Sequence, residues 1–140
     1  MSTTPPLFPM QEAHEWLRLA DQDLRLAELA LGDAPPLTGE ALFHAQQAAE
    51  KALKGLLVSH GTQYLLTHDV RKLLQLCEAT GASLGPTLIA AAGLTQFATR
   101  FRYPGEDQPT REESLPWLEL ARLVRDEVRR RLPPDTPPAT

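Results

Sequence analysis

The sequence predicts an all-α protein, an antiparallel up-and-down bundle of four to five helices. Five segments carry apolar residues at spacings of three and four, the pattern of a helix with one buried face. Most of the 13 prolines fall between those segments, where a fixed φ and a missing N–H do not interrupt a helix. No segment alternates apolar and polar residues as a strand does. With 140 residues, 42% of them hydrophobic, the chain is long enough to enclose one hydrophobic core.

The first two predicted helices are the longest. The first covers residues 10–31 and ends before Gly32. The second covers residues 39–59 and combines an apolar face with a neighbouring stripe of small residues. Such a stripe permits close approach by another helix, either of the same chain or of a second subunit. Its members are Ala41, Ala45, Ala48, Ala52 and Gly55.

Three further helices are predicted in the second half of the chain, over residues 68–80, 86–101 and 114–132. Residues 1–9 and 133–140 are rich in proline and have no helical period, so we expect disordered tails there. The predicted domain organisation is therefore one helical bundle over residues 10–132.

Capping residues refine the predicted first residues of the third and fifth helices. Thr67 is the expected N-cap of the third helix. Thr110 and Glu113 have the spacing of a capping box for the fifth. Pro116, however, favours a later start for that helix, at Ser114.

Composition excludes several classes of protein. The net charge of −4 does not suggest a nucleic-acid-binding domain, although a local basic patch is compatible with it. A single cysteine, Cys77, excludes an internal disulfide and fits a reducing compartment. We expect no cofactor and no metal site, since no phosphate loop is present and the histidines lie far apart, at His14, His44, His60 and His68. No apolar run spans a membrane and the N-terminus is unlike a signal peptide, so we expect a cytoplasmic protein.

Polar residues are concentrated on one part of the second helix, residues 44–54. Helical spacing places Glu50 and Lys54 on one side, and His44 and Lys51 on an adjoining strip. One interpretation is a solvated face with a Glu50–Lys54 ion pair. The other is that Lys54 belongs to a phosphate-binding groove.

A second cluster lies where the fourth predicted helix ends. Arg100, Arg102 and Tyr103 follow one another closely there. Guanidinium groups bind phosphate with two hydrogen bonds, and aromatic rings stack on bases, so the cluster is a candidate nucleotide or RNA site. Alternatively, the arginines cap the last carbonyls of the helix and the aromatic side chains close the core.

These segments together resemble the HEPN family of bacterial and archaeal helical proteins. The matching elements include FHAQQAAEKALK in the second helix, THDV before the third and RYPG after the fourth. They occur in the family's order within about residues 14–130, and the matching segments are residues 16–27, 43–54, 67–74 and 102–105.

The resemblance implies a bundle of four to five helices that forms a homodimer. It also implies a small nucleotidyltransferase as partner, in a two-component system of the toxin–antitoxin kind. Many family members are metal-independent ribonucleases that use an Arg-x4–6-His motif brought together across the dimer. The family name reflects an older proposal that the domain binds nucleotides.

The sequence departs from that ribonuclease motif. No arginine is followed by a histidine five to seven places later, and the last histidine of the chain is His68. Cleavage of RNA without metal needs a group that takes the proton of the 2′-OH, and histidine titrates in the right range. His44 or His68 could replace the missing histidine only if the fold brought one of them to Arg100 and Arg102.

We therefore expect a HEPN subunit that is non-catalytic or weakly active and associates with a nucleotidyltransferase. Its nucleotide- or RNA-phosphate-binding groove would contain Lys54, Arg100, Arg102 and Tyr103. The alternative is a metal-independent ribonuclease with a diverged active site, for which Arg100, Arg102, His44 and His68 are the candidate catalytic residues.

Overall fold

The computed structural model describes residues 9–62, 66–81 and 83–134. These ranges contain helices and turns but no strand, so the all-α prediction is confirmed. Residues 1–8 and 135–140 of the two predicted tails lie outside the described residues. The helices are α1 (Pro9–Gly32), α2 (Thr38–Ser59), α3 (Val70–Ala79), α4 (Gly85–Ile89), a 3₁₀ helix (Ala90–Ala98) and α5 (Arg111–Arg131).

The helices α1 and α2 form an antiparallel pair in close contact. Near the start of α1, a Cβ atom on Gly55 would lie 3.0 Å from the carbonyl oxygen of Ala13. Near its end, the N–H of Leu37 donates to the carbonyl of Ala30 at 2.8 Å. The stripe of small residues on α2 is buried, so at Gly55 it serves packing within the chain.

The helix α5 runs antiparallel to α1 and is joined to it by ion pairs. Arg122 of α5 contacts Glu28 of α1 at 3.1 Å. One turn further along, Arg125 contacts Asp21 at 2.5 Å. Such pairs between partly exposed side chains fix the alignment of two helices more than they stabilise the fold.

The fourth predicted helix differs from the observed structure. Residues 86–101 were expected to form one α-helix, but only α4 has that form and the 3₁₀ helix follows it. Tertiary contacts account for the tighter winding. Gly93 lies under the Trp117 ring, where a Cβ atom would be 2.8 Å away. The Thr95 hydroxyl accepts a hydrogen bond from the N–H of Val70 at 3.0 Å.

Two of the predicted helix starts were wrong. The N-cap of α3 is Asp69, whose carboxylate accepts from the N–H of Arg71 at 3.0 Å. The predicted cap, Thr67, instead accepts from the N–H of Asp69. Two hydrogen bonds between Thr110 and Glu113 complete the expected capping box, and α5 begins at Arg111 rather than Ser114.

Pro116 does not delay the start of α5. It lies near the beginning of the helix, and its missing N–H removes a single hydrogen bond, to the carbonyl of the exposed residue Glu112. The hydrogen bond from the backbone N–H of Thr110 lowers the pKa of Glu113, because it favours the ionised carboxylate.

The core lies where α1, α2, the 3₁₀ helix and α5 meet, with α3 packed on α2 and the 3₁₀ helix. The 3₁₀ helix is antiparallel to α5, since Gly93 meets Trp117 and the carbonyl of Ser83, before α4, accepts from Arg131. The long segments therefore alternate in direction around the bundle.

Close packing at Gly55 gives a direct test of the α1–α2 contact. We expect Gly55→Val to lower the free energy of unfolding by about 1–3 kcal/mol, because the new methyl groups would overlap the Ala13 backbone. Gly32→Val is the matched control, since no atom lies within 4 Å of a Cβ there. Urea denaturation measures both. Equal stabilities of the two variants would contradict the close approach.

Candidate functional site

The polar side of α2 is largely buried rather than solvated. Glu50 is 2% exposed and Lys54 is 7% exposed. Their ion pair spans 3.5 Å, and the Lys54 ammonium group also lies 5.5 Å from the centre of the Trp16 ring of α1. The expected Glu50–Lys54 pair is therefore present, but it belongs to the contact between helices.

Glu50 also anchors the segment that precedes α3. Its carboxylate contacts Nδ1 of His68 at 2.6 Å. The fully buried Gln46 donates from its side-chain amide to the carbonyl of His68 at 3.0 Å. Sequence reasoning gave Gln46 no role, although a glutamine within an apolar helical stripe was a signal of a buried hydrogen bond.

A second buried carboxylate, Asp23 of α1, holds the adjoining strip of α2. Asp23 is 5% exposed. Its two oxygens contact Nδ1 of His44 at 2.9 Å and Nζ of Lys51 at 2.6 Å. An ionised carboxylate only accepts hydrogen bonds, so Nδ1 of His44 is the donor in its contact with Asp23. Sequence reasoning assigned no role to Asp23.

The segment after the 3₁₀ helix turns sharply at Phe101. This residue has a φ of 66°, in the left-handed region that non-glycine residues rarely adopt. The turn packs closely on the start of α2, where a Cβ atom on Gly39 would be 3.0 Å from the Phe101 carbonyl oxygen. The two flanking arginines consequently have different partners.

Arg100 stays with the 3₁₀ helix. Its guanidinium group lies 4.6 Å from the centre of the Phe101 ring and donates to the Gln96 side chain at 2.5 Å. It borders a surface cavity of about 470 Å³, whose wall includes Phe97 and Trp117. Arg100 therefore contributes positive charge to a cavity whose lining also includes Glu113.

Arg102 instead reaches α2. Its guanidinium group lies 4.2 Å from the centre of the Phe43 ring, and Nη1 donates to Glu40 at 3.0 Å. The next residue, Tyr103, is 65% exposed. Arg102 and Tyr103 are thus both exposed and are adjacent in the sequence.

The structure brings one candidate histidine close to Arg102. The His44 ring meets the Phe43 ring edge-on, with 5.3 Å between centres, while Arg102 covers Phe43 at 4.2 Å. The Arg102 guanidinium carbon and the His44 ring centre are therefore at most about 9.5 Å apart. We call Arg102, Phe43, His44 and Asp23 the Arg102–His44 cluster.

The other candidates lie further along α2. Glu50, the partner of His68, is seven residues beyond Phe43, which is about 10 Å along the helix axis. Lys54 is eleven residues beyond Phe43, about 16 Å along the axis. Lys54 and the partner of His68 therefore lie further along α2 than Phe43, the residue that Arg102 contacts.

Chemistry at the remaining candidate groups is limited. Burial raises the pKa of the Cys77 thiol to about 12, which leaves it protonated at neutral pH. Among residues 9–62, 66–81 and 83–134, no group of three His, Cys, Asp or Glu side chains could hold a metal ion. None of the helices in those ranges is long and apolar enough to cross a membrane.

The buried pair on α2 predicts a stability effect. We expect Lys54→Met to lower the free energy of unfolding by about 3 kcal/mol, because it leaves the buried Glu50 carboxylate without its lysine. The double variant Glu50→Gln/Lys54→Met should regain much of the loss, since no unpaired charge is then buried. Lys72→Met, at an exposed position on α3, is the control. Thermal or urea unfolding measures all three. A Lys54→Met protein as stable as the control would contradict this role.

Comparisons with known proteins agree with this architecture. The model of the HEPN domain matches residues 13–131. The crystal structure of TT1696 from Thermus thermophilus superposes with a TM-score of 0.74 at 35% sequence identity, covering 86% of this chain and 98% of that one. No curated protein matches the sequence. Because the family model covers nearly the whole bundle, the chain belongs to the HEPN domain family.

Proposed function

We propose that this HEPN subunit binds the phosphate of a nucleotide or RNA at the surface formed by Arg102, Tyr103 and Arg100. In the cell it would be the non-catalytic or weakly active partner of a small nucleotidyltransferase, in a two-component system of the toxin–antitoxin kind. The observation that carries the proposal is the position of Arg102, which is exposed and lies over the Phe43 ring.

The geometry of Arg102 suits phosphate binding. Stacking on Phe43 restricts the side chain without using the N–H groups at the edge of the guanidinium plane. Glu40 engages Nη1, but its side chain is 54% exposed. A pair between exposed groups is weak, so a phosphate with two oxygen acceptors can replace the carboxylate.

Neighbouring side chains complete the proposed surface. Tyr103 offers an exposed ring on which a base can stack, and its hydroxyl can donate to phosphate. Arg100 adds positive charge beyond Phe101. Lys54, in contrast, acts as a support for α2 in this proposal, because it is buried against Glu50 and Trp16.

Protein partners are the second part of the proposal. Family membership supports a homodimer and a nucleotidyltransferase partner. Apolar surface for such contacts is offered by exposed leucines of two helices, Leu26 and Leu29 of α1 and Leu115 and Leu123 of α5.

Light scattering would measure the oligomeric state, and co-expression with a small nucleotidyltransferase would test the pairing. A monomer that binds neither nucleotide nor protein would refute the proposal.

A metal-independent ribonuclease is the second candidate function. The observation that favours it is the approach of His44 to Arg102 across Phe43. Histidine is the side chain that most often acts as a general base, so this approach is what keeps the ribonuclease as a candidate.

Arg102 is the residue whose change tests the binding site. We expect Arg102→Gln to weaken binding of a labelled single-stranded RNA, or of a nucleoside triphosphate, by about 10-fold or more, since charge-assisted hydrogen bonds are lost. Fluorescence polarisation or calorimetry at fixed salt measures this. Arg130→Gln is the matched control, because Arg130 is an exposed arginine of α5. Equal affinities of the two variants, or no binding by the native protein, would contradict the proposed site.

A further inference from the structure

We infer that the first turn of α2, next to Arg102, binds a terminal phosphoryl group, either inorganic phosphate or the phosphorylated end of a nucleotide or RNA. The binding site is a cavity of about 240 Å³, lined by residues 36–40, Phe101 and Gln108. This site deepens the proposed function, on which the role of Arg102 rests, by naming the kind of phosphate group that is bound.

The N-terminus of α2 has free backbone donors. The N–H groups of Thr38, Gly39 and Glu40 donate to no acceptor within the described part of the chain. Leu37, at the N-cap position, has an apolar side chain that cannot accept from them. The first N–H groups of a helix point outwards along its axis and carry the positive end of its dipole. At the start of this 22-residue helix they favour an anion in the cavity.

A buried hydroxyl without a partner is the second, independent feature of this cavity. Thr38 is 4% exposed, and its hydroxyl forms no hydrogen bond with the residues that the structure describes. Every fully enclosed side-chain oxygen among those residues has a hydrogen-bond partner, so the Thr38 hydroxyl must face accessible space. Thr38 lines the cavity. Buried polar groups are normally hydrogen-bonded, so a hydroxyl kept there without a protein partner is a donor for a ligand.

Arg102 brings positive charge to the same turn of α2. Its Nη1 donates at 3.0 Å to Glu40, which also lines the cavity. The Glu40 side chain is 54% exposed, so its pair with Arg102 is weak and the carboxylate can move into solvent. An anion held by the N–H groups can then take the place of Glu40 as the partner of the guanidinium.

The number of donors favours a terminal phosphate over a phosphodiester. The cavity offers three N–H groups and the Thr38 hydroxyl, with the Arg102 guanidinium beside them. A phosphodiester has two free oxygens and a single negative charge. A terminal phosphate has three acceptor oxygens and carries close to two negative charges at neutral pH. It can therefore use more of these donors and gains more from the positive charge.

Titration of the isotope-labelled full chain with inorganic phosphate tests the site, with the backbone N–H signals followed by NMR. Ionic strength is held constant with chloride. We expect the signals of Thr38, Gly39 and Glu40 to move along a saturating curve, because their N–H groups gain an acceptor. If these three signals show no saturable movement, or move equally with chloride alone, the inference is overturned.

Thr38→Val removes the hydroxyl and keeps the shape of the side chain. We expect phosphate binding to weaken by about fivefold or more, since one hydrogen bond is lost. The midpoint of urea denaturation should not decrease, because the hydroxyl has no protein partner. Thr80→Val is the matched control. The Thr80 hydroxyl donates to the carbonyl of Cys77 at 2.6 Å, so its loss should lower that midpoint and leave phosphate binding unchanged.

Equal phosphate affinities of Thr38→Val and the native protein would contradict the role of the hydroxyl. Glu40→Gln provides a variant in which binding should improve. We expect phosphate to bind about threefold more tightly, because a like charge is removed and Arg102 is released from its pair. Damage to the fold would not strengthen binding, so this variant keeps the test valid if Thr38→Val folds poorly. Unchanged or weaker binding by Glu40→Gln would overturn the inference.

Two RNA oligonucleotides of one sequence, with a 5′-phosphate or a 5′-hydroxyl, separate the possible sources of the phosphate. Tighter binding of the 5′-phosphate form, lost in Thr38→Val, would identify the phosphorylated end of RNA. Equal binding of both forms, with inorganic phosphate still bound at α2, would identify free phosphate. Binding of both forms without any phosphate effect at α2 would overturn this inference and leave the proposed function intact. Binding of inorganic phosphate but of neither oligonucleotide would refute the proposed function alone.

Discussion

Two buried carboxylates each need a cationic or hydrogen-bonding partner, and this need is the constraint on which the rest of the structure depends. Asp23 and Glu50 are both almost fully buried, and a buried carboxylate without a partner is strongly destabilising. Each one contacts a lysine and a histidine. The carboxylates and their partners come from α1, α2 and the segment before α3. All four contacts can therefore form in only one alignment of those elements.

That alignment also places the candidate site. Phe43 and His44 are adjacent on α2, so their side chains point about 100° apart around the helix. His44 thereby reaches Asp23 of α1, and Phe43 meets Arg102. A sliding of α1 along α2 would separate His44 from Asp23. The same interface that stabilises the bundle therefore orients the imidazole beside the arginine.

Sequence periodicity was sufficient for the helical fold but not for the contacts between helices. The bounds of α1 and α2 are close to prediction, because both helices carry long apolar stripes and α1 ends at a clear signal, Gly32. The 3₁₀ helix was not predictable in the same way. Its winding depends on Trp117 and Val70, which are distant in sequence from Gly93 and Thr95.

The candidate site was likewise predictable only where its residues are close together in the sequence. Arg102 and Tyr103 were visible as a polar cluster at the end of a predicted helix, and both are exposed as phosphate binding requires. Lys54 was placed with them because its charge suggested solvent, whereas burial against Glu50 and Trp16 is a property of the packed helix pair. The partner of Asp23 could not be predicted locally, since it is a residue 21 positions away in the sequence.

The left-handed turn at Phe101 decides which part of the bundle each of the two flanking arginines contacts. The left-handed turn at Phe101 directs Arg100 to the 3₁₀ helix and Arg102 to α2, where a histidine is already oriented. A helix continued through residue 101 would direct Arg102 elsewhere. The left-handed backbone of Phe101 therefore determines that Arg102 contacts the start of α2 and that Arg100 does not.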